Sequence, residues 1–277
     1  MNIEIEAFGS LLKIDFCWKK VSDRLKKQCI WIVEEFEKKY SRFRENTFLY
    51  TLNKEKRAPL TKEFREILEI AIKVSLETEN YFDITLLPIL ENNWYGIESM
   101  TQKENTGMNF IEMKDGYIIL KNEVQIDLWW IGKGYIIDKI DEILQKKLDT
   151  YIINFWWDIK VQWIHCIGLE DPLNDKKIIG KIWIEDESIC ASSGRKRTFN
   201  SGHHIINPYN KKSPEDKIIV YTKHKKAVYA DTYATALFAG PLEKSLHLLE
   251  NLSSLEWLVI DKNGGIYKSD WFDCSLF

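Results

Sequence analysis

The 277-residue sequence predicts an α+β fold, built as a single domain over residues 1–277. Three observations carry that expectation. Segments of strand period and helix period interleave without the regular βαβ spacing of a doubly wound sheet. Hydrophobic residues make up 45% and charged residues 29%, a globular balance with enough apolar surface for a sizeable core. No strict internal repeat points to a solenoid or propeller.

Residues 2–16 alternate as a strand, interrupted by a turn at Phe8-Gly9-Ser10. Residues 22–40 form an amphipathic helix with Leu25, Cys29, Ile32, Val33, Phe36 and Tyr40 on one face. Ser41-Arg42-Phe43 opens a loop that is expected to run to Leu52-Asn53. A second helix starts at Thr61, a side chain suited to an N-cap, and turns Phe64, Ile67, Leu68, Ala71 and Val74 inward. Pro88 keeps the segment after Thr85 from being a central strand. Residues 97–115 read as a polar loop, and Tyr117–Leu120 with Glu123–Ile126 as a hairpin. A helix through Ile136, Ile137, Ile140 and Leu144 ends in Lys146-Lys147, favourable at a helix C-terminus.

The second half is strand-rich. Tyr151–Phe155 leads through a turn at Trp156-Trp157-Asp158 into a strand ending at Val161. Further strands lie near Ile164–Leu169, Lys181–Ile184 and Ile189–Ala191, followed by a turn at Ser192-Ser193-Gly194. His203-His204 lies on a strand that runs into a loop stopped by Pro208. Lys217–Thr222 is another strand, Ala230-Asp231 opens a helix through Phe238, and a further helix spans Glu243–Leu252. Leu255–Asp261 and Gly265–Lys268 close the chain as a hairpin.

The charge balance excludes some functions. Lysine and arginine number 39 against 42 acidic residues, a net charge of -3, so nothing favours nucleic acid or an anionic membrane. The basic run Lys223–Lys226 reads as a solvated strand end. Cys17, Cys29, Cys166, Cys190 and Cys274 show no CxxC pair, which argues against a disulfide framework or a zinc site. No apolar run approaches the ~18 residues of a membrane span. With no leader or lipobox in the residues given, the expected location is cytoplasmic, or exported and membrane-associated if the start lies upstream.

The most informative stretch is Ile126-Asp127-Leu128-Trp129-Trp130-Ile131-Gly132-Lys133-Gly134-Tyr135. It reads as a strand end, a tight turn and a helix start, a junction that lets a phosphate approach backbone N–H groups. Two tryptophans oppose that use, because close backbone approach calls for glycine. Asp231 and Thr235 lie one helical turn apart, so their oxygens face one way and suit Mg²⁺; alternatively Asp231 simply caps its helix. His203 and His204 point to opposite faces of a strand, so one at most meets a given pocket, and a structural role is the alternative for either. No GxSxG, GxxxxGK[ST] or GxGxxG motif is present.

At Asp127–Tyr135 and Tyr229–Leu237 the sequence resembles the ApbE family of FAD:protein FMN transferases. Asp127, Leu128, Lys133, Gly134 and Tyr135 match one motif, and Ala230-Asp231-Thr232-Tyr233-Ala234-Thr235-Ala236 matches another. Phe8-Gly9-Ser10, Tyr40–Phe43 with Leu52-Asn53, and Phe82-Asp83-Ile84-Thr85 with Pro88 follow in the family's order. So do Ile153-Asn154, Ser193-Gly194 and His204-Ile205-Ile206-Asn207-Pro208. The resemblance implies an enzyme that cleaves FAD at its pyrophosphate, transfers FMN to a threonine hydroxyl of an acceptor flavoprotein, and releases AMP. It implies Mg²⁺ held by Asp231 and Thr235, with backbone oxygens of Ala234 and Trp130. Asp127 and Lys133 would border the nucleotide, with Phe8, Phe43, Tyr81, Phe82 and Asp83 near the flavin and adenine. His204 and Ile205 would lie at the reacting end, with His204 a base candidate and Asp231 essential to catalysis. Asn207 and Tyr209-Asn210-Lys211 depart from the family pattern, which bears on the flavin edge and the acceptor. Alternative activities are a Mg²⁺-dependent FAD pyrophosphatase and a non-catalytic flavin-binding paralogue.

Trp129, Trp130, Trp156 and Trp157 all fall where that family has glycine pairs, and Trp163 and Trp271 are similar. Eleven tryptophans against thirteen glycines is an unusual ratio. We expect the source to read UGA as glycine, so that these tryptophans stand for glycines. The alternative is a degenerate paralogue that has lost FAD binding. On the sequence as it stands, both turns should be crowded.

Overall fold

The computed structural model describes residues 2–91, 105–195, 198–199 and 202–277. The first strands, β1 (Asn2–Ala7) and β2 (Ser10–Asp15), form an antiparallel hairpin. Helix α1 (Asp23–Tyr40) follows, its N-terminus capped by Ser22, whose hydroxyl accepts from Leu25 N–H. The loop expected up to Asn53 is a loop only to Thr47, because Thr47 caps a second helix, α2 (Phe48–Glu55). The Thr47 hydroxyl accepts from Tyr50 N–H at 3.0 Å, and Leu49, Leu52 and Asn53 turn inward on this helix. Sequence reading missed it because eight residues give too few turns for a clear period.

Strand β3 (Arg57–Pro59) leads to α3 (Lys62–Glu77), whose Thr61 cap and buried face match expectation. Pro88 lies in the first turn of the short helix α4 (Leu87–Leu90), where its missing N–H costs nothing. In the stretch expected to be a polar loop, residues 97–104 lie outside the described residues. Its later part is a 3₁₀ turn, Met108–Phe110, and a strand, β4 (Ile111–Lys114). The expected hairpin partner is therefore wrong: β5 (Tyr117–Leu120) pairs with β4 on one side and β3 on the other. Residues 123–126 pair with neither. The Asn53 side chain instead holds Ile126, bonding both its N–H and its C=O at 2.8 Å.

Helix α5 (Trp129–Leu144) begins directly after Leu128. Strands β6 (Tyr151–Phe155), β7 (Asp158–Gln162), β8 (Ile164–Asp171), β9 (Asn174–Glu185) and β10 (Ser188–Ser192) follow. The expected strand through His203-His204 shrinks to a small ribbon of β11 (Thr198–Phe199) and β12 (Gly202–His203). Then come β13 (Lys217–His224), α6 (Ala227–Ala239), α7 (Leu242–Asn251), β14 (Glu256–Asp261), β15 (Ile266–Lys268) and β16 (Cys274–Leu276).

One eight-stranded antiparallel sheet runs β1-β2-β6-β7-β10-β13-β14-β15, and β16-β9-β8 form a second sheet. The large sheet is covered on both faces. Along β13 and β14, Val220 and Val259 point to the helical side, whereas Ile219, Tyr221, Leu258 and Ile260 face the second sheet's Leu169, Ile182 and Ile184. That alternation is the period-2 side-chain pattern of a strand. Fully buried side chains such as Tyr151, Phe155 and Phe16 contribute roughly 1.5–3 kcal/mol each through burial.

Helix α6 is almost wholly buried and is the keystone of the helical layer. It begins at Ala227, earlier than Ala230-Asp231, so Asp231 lies in its second turn and does not cap it. The capping role falls to Asp138 of α5, whose carboxylate accepts from Ala227 N–H at 2.8 Å and Val228 N–H at 3.1 Å. One turn before Asp138, Gly134 lets the two helices touch. A Cβ there would sit 2.7 Å from the Ala227 carbonyl oxygen and the Val228 Cα.

Candidate functional site

Where α5, α6 and the ends of the central strands converge, the fold leaves a cleft of about 750 Å³, open to solvent. The first turn of α5 contributes Trp129, Trp130 and Lys133, and the β6–β7 turn contributes Trp156 and Trp157. Ser192 and Ser193 enter from the end of β10, His204 and Ile205 from the segment after β12, and Asp231 and Thr235 from α6. These groups come from five separate stretches of chain, and only the tertiary fold brings them together.

A buried charge cluster forms the floor. Lys133 Nζ pairs with the Asp158 carboxylate and lies 3.9 Å from Asp231 Oδ1. Gly134 N–H, whose regular helical acceptor would be the carbonyl of residue 130, donates to Asp231 Oδ2 at 3.0 Å. One turn along α6, the Thr235 hydroxyl lies 3.3 Å from that of Ser192. Burial pushes the Asp231 carboxyl up to about 7; the Asp158 charge adds to this, and Lys133 with Gly134 N–H opposes it. Burial pulls Lys133 down, but the two carboxylates outweigh it, and the ammonium is held above its ordinary value. Asp158, also raised by burial, is stabilised chiefly by Lys133. One cation thus serves two buried carboxylates, which leaves net negative charge beside the hydroxyls of Thr235 and Ser192.

The adjacent histidines divide as the strand geometry predicts. His203 is buried against Phe238, its Nε2 donating to the Pro214 carbonyl at 2.8 Å and its Nδ1 accepting from Ile205 N–H. That arrangement fixes a neutral tautomer, and burial lowers its pKa further. His204 turns the other way and lines the cleft.

A second cleft, about 900 Å³, lies beyond Trp129 and is lined by Phe8, Phe43 and Asp127 together with Glu37, Tyr40 and Arg42. Arg42 Nη1 approaches Asp127 Oδ2 at 3.2 Å, and Asp127 Oδ1 accepts from Trp129 N–H at 3.1 Å. Trp129 lines both clefts and stands between them. The remaining predicted site residues lie elsewhere. Phe82 is fully buried, and Tyr81 packs edge-on against Tyr209. Asp83 accepts from the N–H and hydroxyl of Thr85 and faces a narrow gap beneath Trp129 and Trp130. Ala234 is fully buried in α6.

Sequence reading missed Asp158, Ser192 and the pairing of Arg42 with Asp127. Asp158 had a usable signal, an acid directly after the Trp156-Trp157 turn. Ser192 and Arg42 had none beyond their motifs, because their partners lie 43 and 85 positions away.

The tryptophan turns carry backbone strain. Trp156 and Trp157 have φ of 50° and 83°, Trp163 has 72° and Trp18 has 69°. Each such left-handed residue costs roughly 1–2 kcal/mol when it carries a side chain.

A protein-family model described as the ApbE family matches residues 5–259. A curated FAD:protein FMN transferase from Klebsiella pneumoniae is 27% identical over 155 residues, which cover 53% of this chain and 48% of that protein. The matched stretch therefore spans about half the length of that relative. An ApbE protein from Thermotoga maritima superimposes with a TM-score of 0.87 at 21% identity, covering 98% of this chain and 97% of that one. The flavin transferase ApbE from Vibrio cholerae gives 0.81 at 20% identity, with 98% of each chain covered. These likenesses establish the fold, and the family model extends over nearly the whole sequence. The chain belongs to the ApbE family.

Proposed function

We propose that this protein is an FAD:protein FMN transferase that moves FMN from FAD to a threonine hydroxyl of an acceptor flavoprotein and releases AMP. The observation that carries the reading is the buried Lys133–Asp158–Asp231 cluster, set beside the Thr235 and Ser192 hydroxyls on the floor of a cleft. Asp231, Thr235 and Ser192 present hard oxygens to it, which fits Mg²⁺. Asp231 and Thr235 would hold the ion, with the backbone oxygens of Trp130 and Ala234 as further ligands. A bound Mg²⁺ supplies Lewis-acid polarisation and charge neutralisation at the pyrophosphate.

The chain's own residues do the rest. Lys133, held charged by its two carboxylates, places a fixed positive charge beside the phosphates. The N-terminus of α5 adds the partial positive charge of its helix dipole. Gly134 N–H keeps the Asp231 carboxylate aimed into the cleft. The acceptor threonine oxygen attacks the phosphorus of the FMN half, the bond from that phosphorus to the bridging oxygen breaks, and AMP leaves with that oxygen. His204, on the cleft wall, takes the threonine proton. Phe8, Phe43 and Asp127 supply the second cleft, large enough for the half of FAD that the first does not hold.

The test uses protein purified from its own host, incubated with FAD, Mg²⁺ and a flavoprotein acceptor carrying a target threonine. Covalent flavin fluorescence on the acceptor, lost with Asp231→Ala, is the expected result. Free FMN with no labelled acceptor means a pyrophosphatase, and intact bound FAD means a binding protein; either result refutes the transfer reading.

A further inference from the structure

Of the fifteen non-glycine residues at positive φ among the described residues, four are tryptophans, a bulky side chain seldom found there: Trp18, Trp156, Trp157 and Trp163, with φ between 50° and 83°. Trp156 and Trp157 are the two loop residues of the β6–β7 hairpin, closed by the Phe155–Asp158 pair. Positive φ at both positions is the type I′ signature, a turn that selects Asn-Gly or Gly-Gly. Trp18 follows Cys17, also at positive φ, in a turn closed by Lys19 N–H to the Phe16 carbonyl at 3.0 Å. Trp163 is the single residue joining β7 to β8.

Packing does not explain Trp18 or Trp163. Trp18 is 95% exposed and Trp163 is 61% exposed, so neither indole gains burial in return for its backbone. Trp31, Trp183 and Trp257, by contrast, sit in a helix and two strands with ordinary φ. The strain is confined to turns. Trp129 and Trp130 carry a different mark. They have helical backbone, yet Trp129 lines both clefts and Trp130 lines the first. The Trp130 indole N–H is buried and meets no acceptor among the described residues.

We infer that the functional protein carries glycine at positions 18, 129, 130, 156, 157 and 163, each encoded by UGA that the host reads as glycine. With the indoles at 129, 130, 156 and 157 gone, the two clefts join across position 129 into one slot sized for a dinucleotide. The glycine assignment at 18, 156, 157 and 163 stands on backbone geometry, and that at 129 and 130 on where their side chains sit and on the unmet Trp130 N–H; only the dinucleotide in the slot rests on the transferase reading.

Three measurements test it. Peptides from the host-derived protein that span 156–157 and 129–130 should have glycine masses, and tryptophan there overturns the inference. In recombinant protein made with the sequence as written, Trp18→Gly and Trp163→Gly should each raise the urea midpoint, whereas Trp31→Gly in α1 should lower it. A fall with all three removes the backbone argument. Changing Trp129, Trp130, Trp156 and Trp157 together to glycine should tighten FAD binding more than ~100-fold by flavin fluorescence, since a single methylene in a tight pocket already decides 10–200-fold. Unchanged FAD affinity overturns the joined slot. Glycine masses in a protein without transferase activity would support this inference and refute the transferase reading alone.

Discussion

Asp231 is where stability and function should oppose each other most clearly. Its carboxylate is buried beside Asp158 and shares one lysine with it. At ~1.4 kcal/mol per pH unit, the gap between its ordinary 3.8 and about 7 in the fold corresponds to about 4 kcal/mol. The folded pKa lies above the unfolded one, so the folded state binds the proton more tightly. The related stability is fully present below the unfolded pKa and is lost as pH rises through the folded value. Asp231→Asn keeps an oxygen for Gly134 N–H and removes the charge. It also weakens the hold on Lys133, so roughly half of the 4 kcal/mol should survive as a gain, about 2 kcal/mol at alkaline pH. Urea unfolding in EDTA, near pH 5 and near pH 8, would show this. Wild type should lose stability between the two conditions, and the variant should lose much less. Mg²⁺ should raise the wild-type midpoint and leave the variant unmoved, because a ligand stabilises only the state that binds it. A variant less stable than wild type near pH 8, with the same pH slope, would refute the reading of Asp231 as a strained, cation-seeking carboxylate.

Two other perturbations follow from the same layer of the fold. Lys133→Met leaves Asp158 and Asp231 buried without their shared cation and should cost about 3–5 kcal/mol in urea unfolding. Adding Asp158→Asn should recover part of that loss, and strict additivity of the two would contradict the coupling. Asp138→Ala removes the acceptor for Ala227 and Val228 N–H and should cost about 1–3 kcal/mol, whereas Asp138→Asn, which keeps one acceptor oxygen, should cost less. Equal stability of the alanine variant and wild type would show that Asp138 does not cap α6.

The sequence by itself determined the elements with long, regular patterns. Helices α1 and α3 were legible because their apolar faces repeat over several turns and Ser22 and Thr61 are recognisable caps. Strands β6, β7, β13 and β14 were legible from alternation, and the motifs around Lys133 and Asp231 placed the chain in its family. The tertiary structure decided what depends on partners distant in sequence. Helix α2 was hidden by its length, and the partner of β5 was misread because the stretch holding β4 reads as a polar loop, although only Asp115 and Gly116, both at positive φ, join β4 to β5. The start of α6 was misplaced because its cap is a side chain 89 residues upstream. The charge cluster that gives Asp231 its character exists only because Gly134 lets α5 approach α6 and the β6–β7 turn delivers Asp158 to Lys133. Residue types and spacing named Asp231, but its burial, its neighbours and its raised pKa come from three elements meeting, which no local pattern records. The tryptophans show the same division. The sequence marked their number as unusual, and the backbone angles identified the turns where a side chain does not belong.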